Sequence, residues 1–128
     1  MSVSVEAGTA LGLEQFWRWL KDHPNCILRA GTQESYLYDH EQVHWHLGED
    51  SDRNLVIQLI WGKQVIGEMV IVPRDVLFVQ AAPDAESEEP GRFIFDLVGG
   101  SKEEPYSLYH FLMAHNYEGE LQHGPLKH

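Results

Sequence analysis

His44 and His46 are the two residues of this sequence best placed to do chemistry together. They stand two positions apart in a segment that alternates them with the apolar residues Val43, Trp45 and Leu47. Residues i and i+2 of a β-strand project to the same face, so the two imidazoles are expected side by side. Neutral imidazoles bind zinc, iron and similar ions. One hypothesis is therefore a metal- or small-ligand-binding protein that uses His44 and His46.

The same pattern also fits a structural interpretation, in which both histidines occupy the solvent face of an edge hairpin. Glu34 or Glu49 could add a carboxylate to a metal site. The sequence contains none of the motifs that hold calcium, phosphate groups or dinucleotides, and none of the common hydrolase motifs. We therefore expect no cofactor, and we favour a protein that is not an enzyme.

Cys26 is the only cysteine, so the chain has no internal disulfide. His23 is close enough in sequence to suggest a nucleophile and its base. However, Cys26 precedes Ile27 and Leu28, and a cysteine in an apolar strand is usually an inert small hydrophobic residue. We predict no catalytic role for it. We interpret His115 as a residue in the last turn of a helix, where positive charge is favourable.

The charge of the chain is its most unusual property. Twenty acidic residues face nine basic ones, which gives a formal net charge of −11, and no two basic residues are adjacent. Nucleic acids and anionic membranes both require a positive surface, so neither is expected as a partner. A protein partner with a basic surface would be attracted instead.

Two acidic segments, residues 48–52 and 83–91, are predicted to be exposed loops. The main functional hypothesis is a non-catalytic acidic module that binds a basic protein, as chaperones, inhibitors and adaptors of this size do. The residues predicted to contact the partner are Glu49, Asp50, Asp52, Asp84, Glu86, Glu88 and Glu89. We expect exposed aromatic residues to strengthen the contact, and the candidates are Trp19, Trp45 and Tyr36.

The element that organises the fold is a predicted hairpin over residues 54–72, which turns at Gly62 and Lys63. Glycine in the first central position suits a type II′ turn. That turn pairs Ile60 with Val65 and Val56 with Met69. Because both faces of the hairpin are largely apolar, we place it in the middle of a sheet that is covered on both sides.

Amphipathic helices are predicted at both ends. In residues 11–22, Leu13, Phe16, Trp17 and Leu20 form one apolar stripe, with Trp19 off the stripe and partly exposed. A second helix is predicted from residue 104 or 105 to residue 115. The remaining strands are predicted at residues 25–30, 76–81 and 92–98, with a second hairpin formed by residues 34–38 and 42–47.

These elements predict one α+β domain over residues 1–128. It consists of an N-terminal helix, a five- to six-stranded mainly antiparallel sheet and a C-terminal helix. Residues 1–8 and 117–128 are expected to be loose tails. We see no signal peptide and no apolar stretch long enough to span a membrane, so we expect a cytoplasmic protein. Two helices do not cover a sheet of this size fully, and a homodimer would bury the remainder.

Overall fold

A computed structural model describes residues 9–117. It contains nine strands, β1 to β9, one α-helix, α1, and two short 3-10 turns at Pro24–Cys26 and Pro73–Asp75. In chain order the elements are β1 Thr9–Leu11, α1 Leu13–Lys21, β2 Ile27–Gly31, β3 Tyr36–Tyr38, β4 Val43–Glu49, β5 Leu55–Trp61, β6 Gln64–Ile71, β7 Val76–Pro83, β8 Phe93–Gly100 and β9 Pro105–Met113. Within residues 9–117, no helix is long and apolar enough to cross a membrane.

The strands form two open antiparallel sheets. Six strands make the larger sheet in the order β1-β7-β8-β9-β2-β3, and three strands make the smaller sheet in the order β4-β5-β6. The mixture of helix and antiparallel sheet that the sequence predicts is therefore confirmed. The predicted tails at residues 1–8 and 117–128 lie outside the described residues, apart from Tyr117, whose ring centroid lies 5.5 Å from that of Trp19 and which packs against the core.

A single hydrophobic core joins the helix to both sheets. Phe16 of α1 is fully buried, with its ring centroid 5.1 Å from that of Phe95 and 5.5 Å from that of Phe111. Ile57 and Ile71 bring the smaller sheet into the same cluster. Each sheet thus buries one face against the helix and the other sheet, which is how antiparallel sheets usually pack.

Helix α1 forms where the sequence predicts it. The backbone N–H of Gly12 donates to Oε1 of Gln15, which closes the first turn, and Pro24 stops the helix from continuing. Phe16, Trp17 and Leu20 are buried as predicted. The prediction for Trp19 is wrong, because its side chain is only 7% exposed.

The predicted C-terminal helix is wrong. Residues Pro105–Met113 form strand β9, which pairs with β8 on one side and β2 on the other. The apolar residues of this segment fit the spacing of a helix and also that of a strand, because Tyr109, Phe111 and Met113 alternate as strand residues do. Phe111 and Met113 are fully buried. A short apolar run does not distinguish helix from strand, and here the pairing with two neighbouring strands decides.

The hairpin over residues 54–72 is confirmed, with its turn at Gly62 and the predicted pairing of Ile60 with Val65. Its register then shifts by one residue, because Ile66 forms a bulge. Val56 consequently faces Val70, and the predicted pairing of Val56 with Met69 is wrong.

The prediction that this hairpin lies in the middle of a sheet covered on both sides is wrong. Strand β6 is an edge of the smaller sheet, and Val65, Ile66 and Val70 are 50%, 51% and 39% exposed. Only the face that carries Ile57, Leu59, Met69 and Ile71 is buried.

The predicted second hairpin is also wrong, although both of its strands exist. Strand β3 pairs with β2 in the larger sheet, whereas β4 pairs with β5 in the smaller one. Residues 39–42 therefore carry the chain from one sheet to the other.

Candidate functional site

A groove of about 740 Å³ lies between α1 and the loop that joins β4 to β5. We call it the helix–loop groove. Its apolar lining comes from Leu13, Trp17, Leu55 and Pro73, and its charged lining from Glu14, Glu49, Asp50 and Arg53. Pockets that combine an apolar wall with a few polar groups are the usual form of a binding site.

Helix α1 supplies one wall of the groove. Leu13 and Trp17 are four residues apart, so they share a face of the helix. Trp17 is buried, and its indole Nε1 donates a hydrogen bond of 2.8 Å to Oε2 of Glu49. This contact holds the Glu49 carboxylate at the end of β4 against the helix.

The carboxylate of Glu49 also binds an ammonium group. Nζ of Lys21 lies 3.2 Å from Oε2 of Glu49 and 5.8 Å from the ring centroid of Trp17. The hydrogen bond from Trp17, followed by the hydrogen bond and positive charge of Lys21, holds the pKa of Glu49 below its usual range. Glu49 is therefore ionised at neutral and mildly acidic pH.

Asp50 organises the loop that forms the opposite wall. Its Oδ1 accepts hydrogen bonds from the backbone N–H groups of Asp52 and Asn54, and its Oδ2 accepts one from Nδ2 of Asn54. The backbone bond from Asn54 lowers the pKa of Asp50 most strongly. Arg53 then adopts a φ of 68°, a left-handed conformation that is uncommon for residues other than glycine.

The groove carries a net negative charge. Three carboxylates line it, those of Glu14, Glu49 and Asp50, against the single guanidinium of Arg53. Glu14 and Arg53 are exposed at the rim. A cation with an apolar stem is the ligand that suits this combination of walls and charges.

The other predicted partner-binding residues lie outside the groove. Asp52 is exposed in the same loop as Asp50. Asp84, Glu86, Glu88 and Glu89 lie in the loop between β7 and β8, at an end of the larger sheet.

Two of the four acids in the β7–β8 loop stabilise that loop. Oδ1 of Asp84 accepts from the backbone N–H of Glu86, and Oε1 of Glu89 pairs with Nη2 of Arg92 at 3.0 Å. Glu86 and Glu88 are exposed. The structure thus brings Glu49 and Asp50 into one groove and leaves the second acidic segment as a separate surface.

His44 and His46 lie side by side on the outer face of the smaller sheet, as their spacing predicts. Both are exposed, and they face Ile60 and Gln58 of the neighbouring strand. Among the described residues, no group of three or more histidine, cysteine, aspartate or glutamate side chains is arranged to hold a metal ion. Metal binding by the pair stays a prediction.

Two of the three aromatic residues predicted to be exposed are buried. Trp45 is 6% exposed and donates its indole hydrogen to Oδ1 of Asp39, while Trp19 packs in the core. Tyr36 is 46% exposed, and Tyr38, Trp61 and Tyr106 are exposed as well. Trp19 and Trp45 are therefore not available as surface contacts.

Cys26 contacts His115, and this contact was not predicted from the sequence. Sγ of Cys26 lies 3.0 Å from Nε2 of His115, a residue that was not considered beside Cys26 from the sequence. The interpretation of His115 as a helix-end cation is wrong, since no helix forms there. The pairing of β2 with β9 brings the two residues together. Predicting this contact would have required a correct assignment of β9 as a strand.

No protein family model, no curated protein and no solved structure matches this chain.

Proposed function

We propose that this protein is a non-catalytic binding module that engages a protein partner with a basic surface. In this proposal the helix–loop groove receives a lysine or arginine side chain of the partner. The observation that carries the proposal is the position of Lys21, whose ammonium group lies against both Glu49 and the Trp17 ring. Two residues that line the groove, Glu49 and Trp17, therefore already bind one cation beside it.

The electrostatics of the groove favour the same ligand. The lowered pKa values of Glu49 and Asp50 keep both carboxylates ionised at neutral pH. The methylene groups of a bound lysine or arginine would pack against Leu13 and Leu55, while the charged end would lie near the carboxylates. Asp50 acts mainly by shaping the loop, because its oxygens already accept three hydrogen bonds.

The remaining acidic residues are proposed to act at longer range. Asp52 and the β7–β8 loop with Asp84, Glu86, Glu88 and Glu89 add to a formal net charge of −11. Such a field speeds the approach of a basic partner more than it tightens the final complex. Association is therefore expected to be salt-sensitive.

We also propose a homodimer, formed through the outer face of the smaller sheet. This face exposes Val65, Ile66 and Val70. Its one acidic residue in strands β4 to β6 is Glu68, which accepts a hydrogen bond of 2.8 Å from Gln58. Two copies of a strongly acidic chain repel each other least where their surfaces carry few acids, and this apolar face meets that condition.

The partner proposal is tested with a defined basic peptide. A capped peptide of lysine and leucine residues is compared with a twin in which every lysine is acetylated, and binding is followed by calorimetry. We expect the lysine peptide alone to bind, and its affinity to fall at least about tenfold as salt rises from about 0.01 M to about 1 M. Equal binding of both peptides, or salt-independent binding, would contradict the proposal.

Single variants then locate the binding site. Glu14→Gln removes one negative charge at the groove and Glu103→Gln removes one at an exposed position that does not line the groove, so the two variants share the same net charge. We expect Glu14→Gln to weaken binding about threefold and Glu103→Gln to change it little. Arg53→Gln removes the cation at the rim and is expected to tighten binding. If Glu14→Gln and Glu103→Gln behave alike, the peptide does not use the groove.

A further inference from the structure

Strands β2 and β9 bring Cys26 and His115 together. Cys26 ends a 3-10 turn directly before β2, and His115 follows β9 by two residues. Ile27 pairs with Met113, and the backbone N–H of Ala114 donates a hydrogen bond of 2.9 Å to the carbonyl oxygen of Cys26. The distance of 3.0 Å between Sγ of Cys26 and Nε2 of His115 is therefore set by two paired strands.

The imidazole of His115 is oriented to act as a base. Its Nδ1 lies 3.0 Å from the backbone carbonyl oxygen of Asn116, so Nδ1–H donates to that oxygen. This hydrogen bond leaves the lone pair of Nε2 directed at the Cys26 thiol. A nucleophile within hydrogen-bond distance of a base, with the base held by a third group, is the arrangement found where cysteine is activated.

Trp19 provides a second and independent observation at this place. Its ring centroid lies 5.0 Å from that of His23 and 5.7 Å from that of His115. The side chain is 7% exposed, and among residues 9–117 its indole Nε1 has no hydrogen-bond partner. A buried donor without an acceptor is rare in folded proteins, and a catalytic or redox role is one of the explanations for it.

We propose that Cys26 is a reactive thiol, activated by His115, that exchanges with small-molecule disulfides. His115 takes the thiol proton, and Sγ attacks one sulfur of the disulfide. A sulfur–sulfur bond forms to Cys26 as the original one breaks, and the other half leaves as a thiolate that takes up a proton. Cys26 is oxidised to a mixed disulfide and the departing sulfur is reduced. The side chain of Cys26 is partly exposed, as this reaction requires.

Rates of modification test this proposal. The reagents are iodoacetamide and the disulfide dithiodipyridine, both uncharged, so that the net charge of −11 neither attracts nor repels them. We expect the wild-type rate to reach half its maximum at least about one pH unit below that of N-acetylcysteine. At about pH 7, His115→Gln is expected to react about tenfold more slowly, because an ordinary thiol is only a few per cent ionised there.

Two variants serve as controls. Cys26→Ser removes the only thiol and is expected to abolish labelling, while His40→Gln removes an exposed imidazole from the segment between β3 and β4 and is expected to leave the rate unchanged. Equal rates for folded His115→Gln and wild type would overturn the proposal. A wild-type pH profile that matches N-acetylcysteine would also overturn it, and that measurement does not depend on whether the variant folds.

Discussion

The indole Nε1 of Trp17 donates a hydrogen bond of 2.8 Å to Oε2 of Glu49, and this bond joins α1 to the last residue of β4. Because the bond favours the ionised carboxylate, folding lowers the pKa of Glu49. The stabilisation is therefore complete above about pH 4.3, the ordinary pKa of a glutamate, and is lost as the pH falls through the lower pKa of the folded state.

Replacing Glu49 tests this linkage. We expect Glu49→Gln to be less stable than wild type at pH 7, with a difference that shrinks as the pH falls below about 4. Urea unfolding at a series of pH values measures it. Glu86→Gln, which removes a charge from the exposed β7–β8 loop, is the control and is expected to show no such pH-dependent difference. A constant difference between Glu49→Gln and wild type would exclude the charge of Glu49 as the cause.

His110 is expected to remain neutral at physiological pH. Burial lowers its pKa, the nearby charge of Arg29 lowers it further, and Asp96 opposes both. Nε of Arg29 donates to Nε2 of His110 at 3.1 Å, a bond that requires an unprotonated Nε2. Because the unfolded chain binds the proton more readily, His110 costs stability as the pH falls below about 6.5.

NMR titration of the His110 ring gives the corresponding measurement. The midpoint is expected below about 6.5, the ordinary value. Arg29→Gln should raise it and Asp96→Asn should lower it, since the two charges act in opposite directions. A midpoint that moves the same way in both variants would mean that packing changes, and not these charges, control the titration.

Gly99 is expected to be essential for stability. It is buried in β8, and a methyl group there would overlap the backbone carbonyl oxygen of Asp75 and the side chain of Leu108. Gly99→Ala should therefore cost about 1–3 kcal/mol in the free energy of unfolding. Gly48→Ala is the matched control in strand β4, where the nearest atom, Cε1 of His46, would lie at 3.9 Å. Equal stability of the two variants would show that β8 shifts to admit the methyl group.

The proposed homodimer predicts a specific effect of Val70. This residue is 39% exposed on an edge strand, so Val70→Lys is expected to change the stability of the monomer by about 0.5 kcal/mol or less. The same variant should separate the dimer, because it places two ammonium groups in an apolar contact. Sedimentation velocity distinguishes the 14.7 kDa chain from its dimer. A monomeric wild-type protein would exclude the dimer outright.

Zinc titration tests the remaining hypothesis for His44 and His46. Two exposed imidazoles on one strand face provide two of the four ligands that zinc usually takes, so only weak binding is expected from them. The double variant His44→Ala, His46→Ala should abolish that binding with no change in melting temperature. Zinc binding that survives in the double variant would assign the metal to other residues.

Elements with a strong local sequence pattern were predicted correctly. The stripe of Phe16, Trp17 and Leu20 defined α1, and the glycine at position 62 placed the hairpin turn correctly. The predictions that are wrong concern elements whose structure depends on contacts between distant segments. Strand β9 has a helical as well as an extended apolar spacing, and only its pairing with β8 and β2 selects the strand.

The candidate sites likewise combine features that the local sequence predicts with features that depend on contacts between distant segments. Clustered acids next to glycine and serine predict an exposed loop over residues 48–52, and Glu49 proves to be the last residue of β4, directly before that loop. Its contact with Trp17 depends on how α1 packs against β4, which no local pattern encodes. The contact of Cys26 with His115 spans 89 positions and was likewise inaccessible to local reasoning.

The position of β9 between β8 and β2 has a consequence for synthesis on the ribosome. Ile27 acquires its neighbour on the adjacent strand only when Met113 has left the ribosome. The larger sheet therefore cannot form completely until β9 has been made. Until then Phe16 lacks Phe111, one of its two phenylalanine partners, and apolar surface stays exposed. We therefore expect the larger sheet of a nascent chain to form only after β9 has been made.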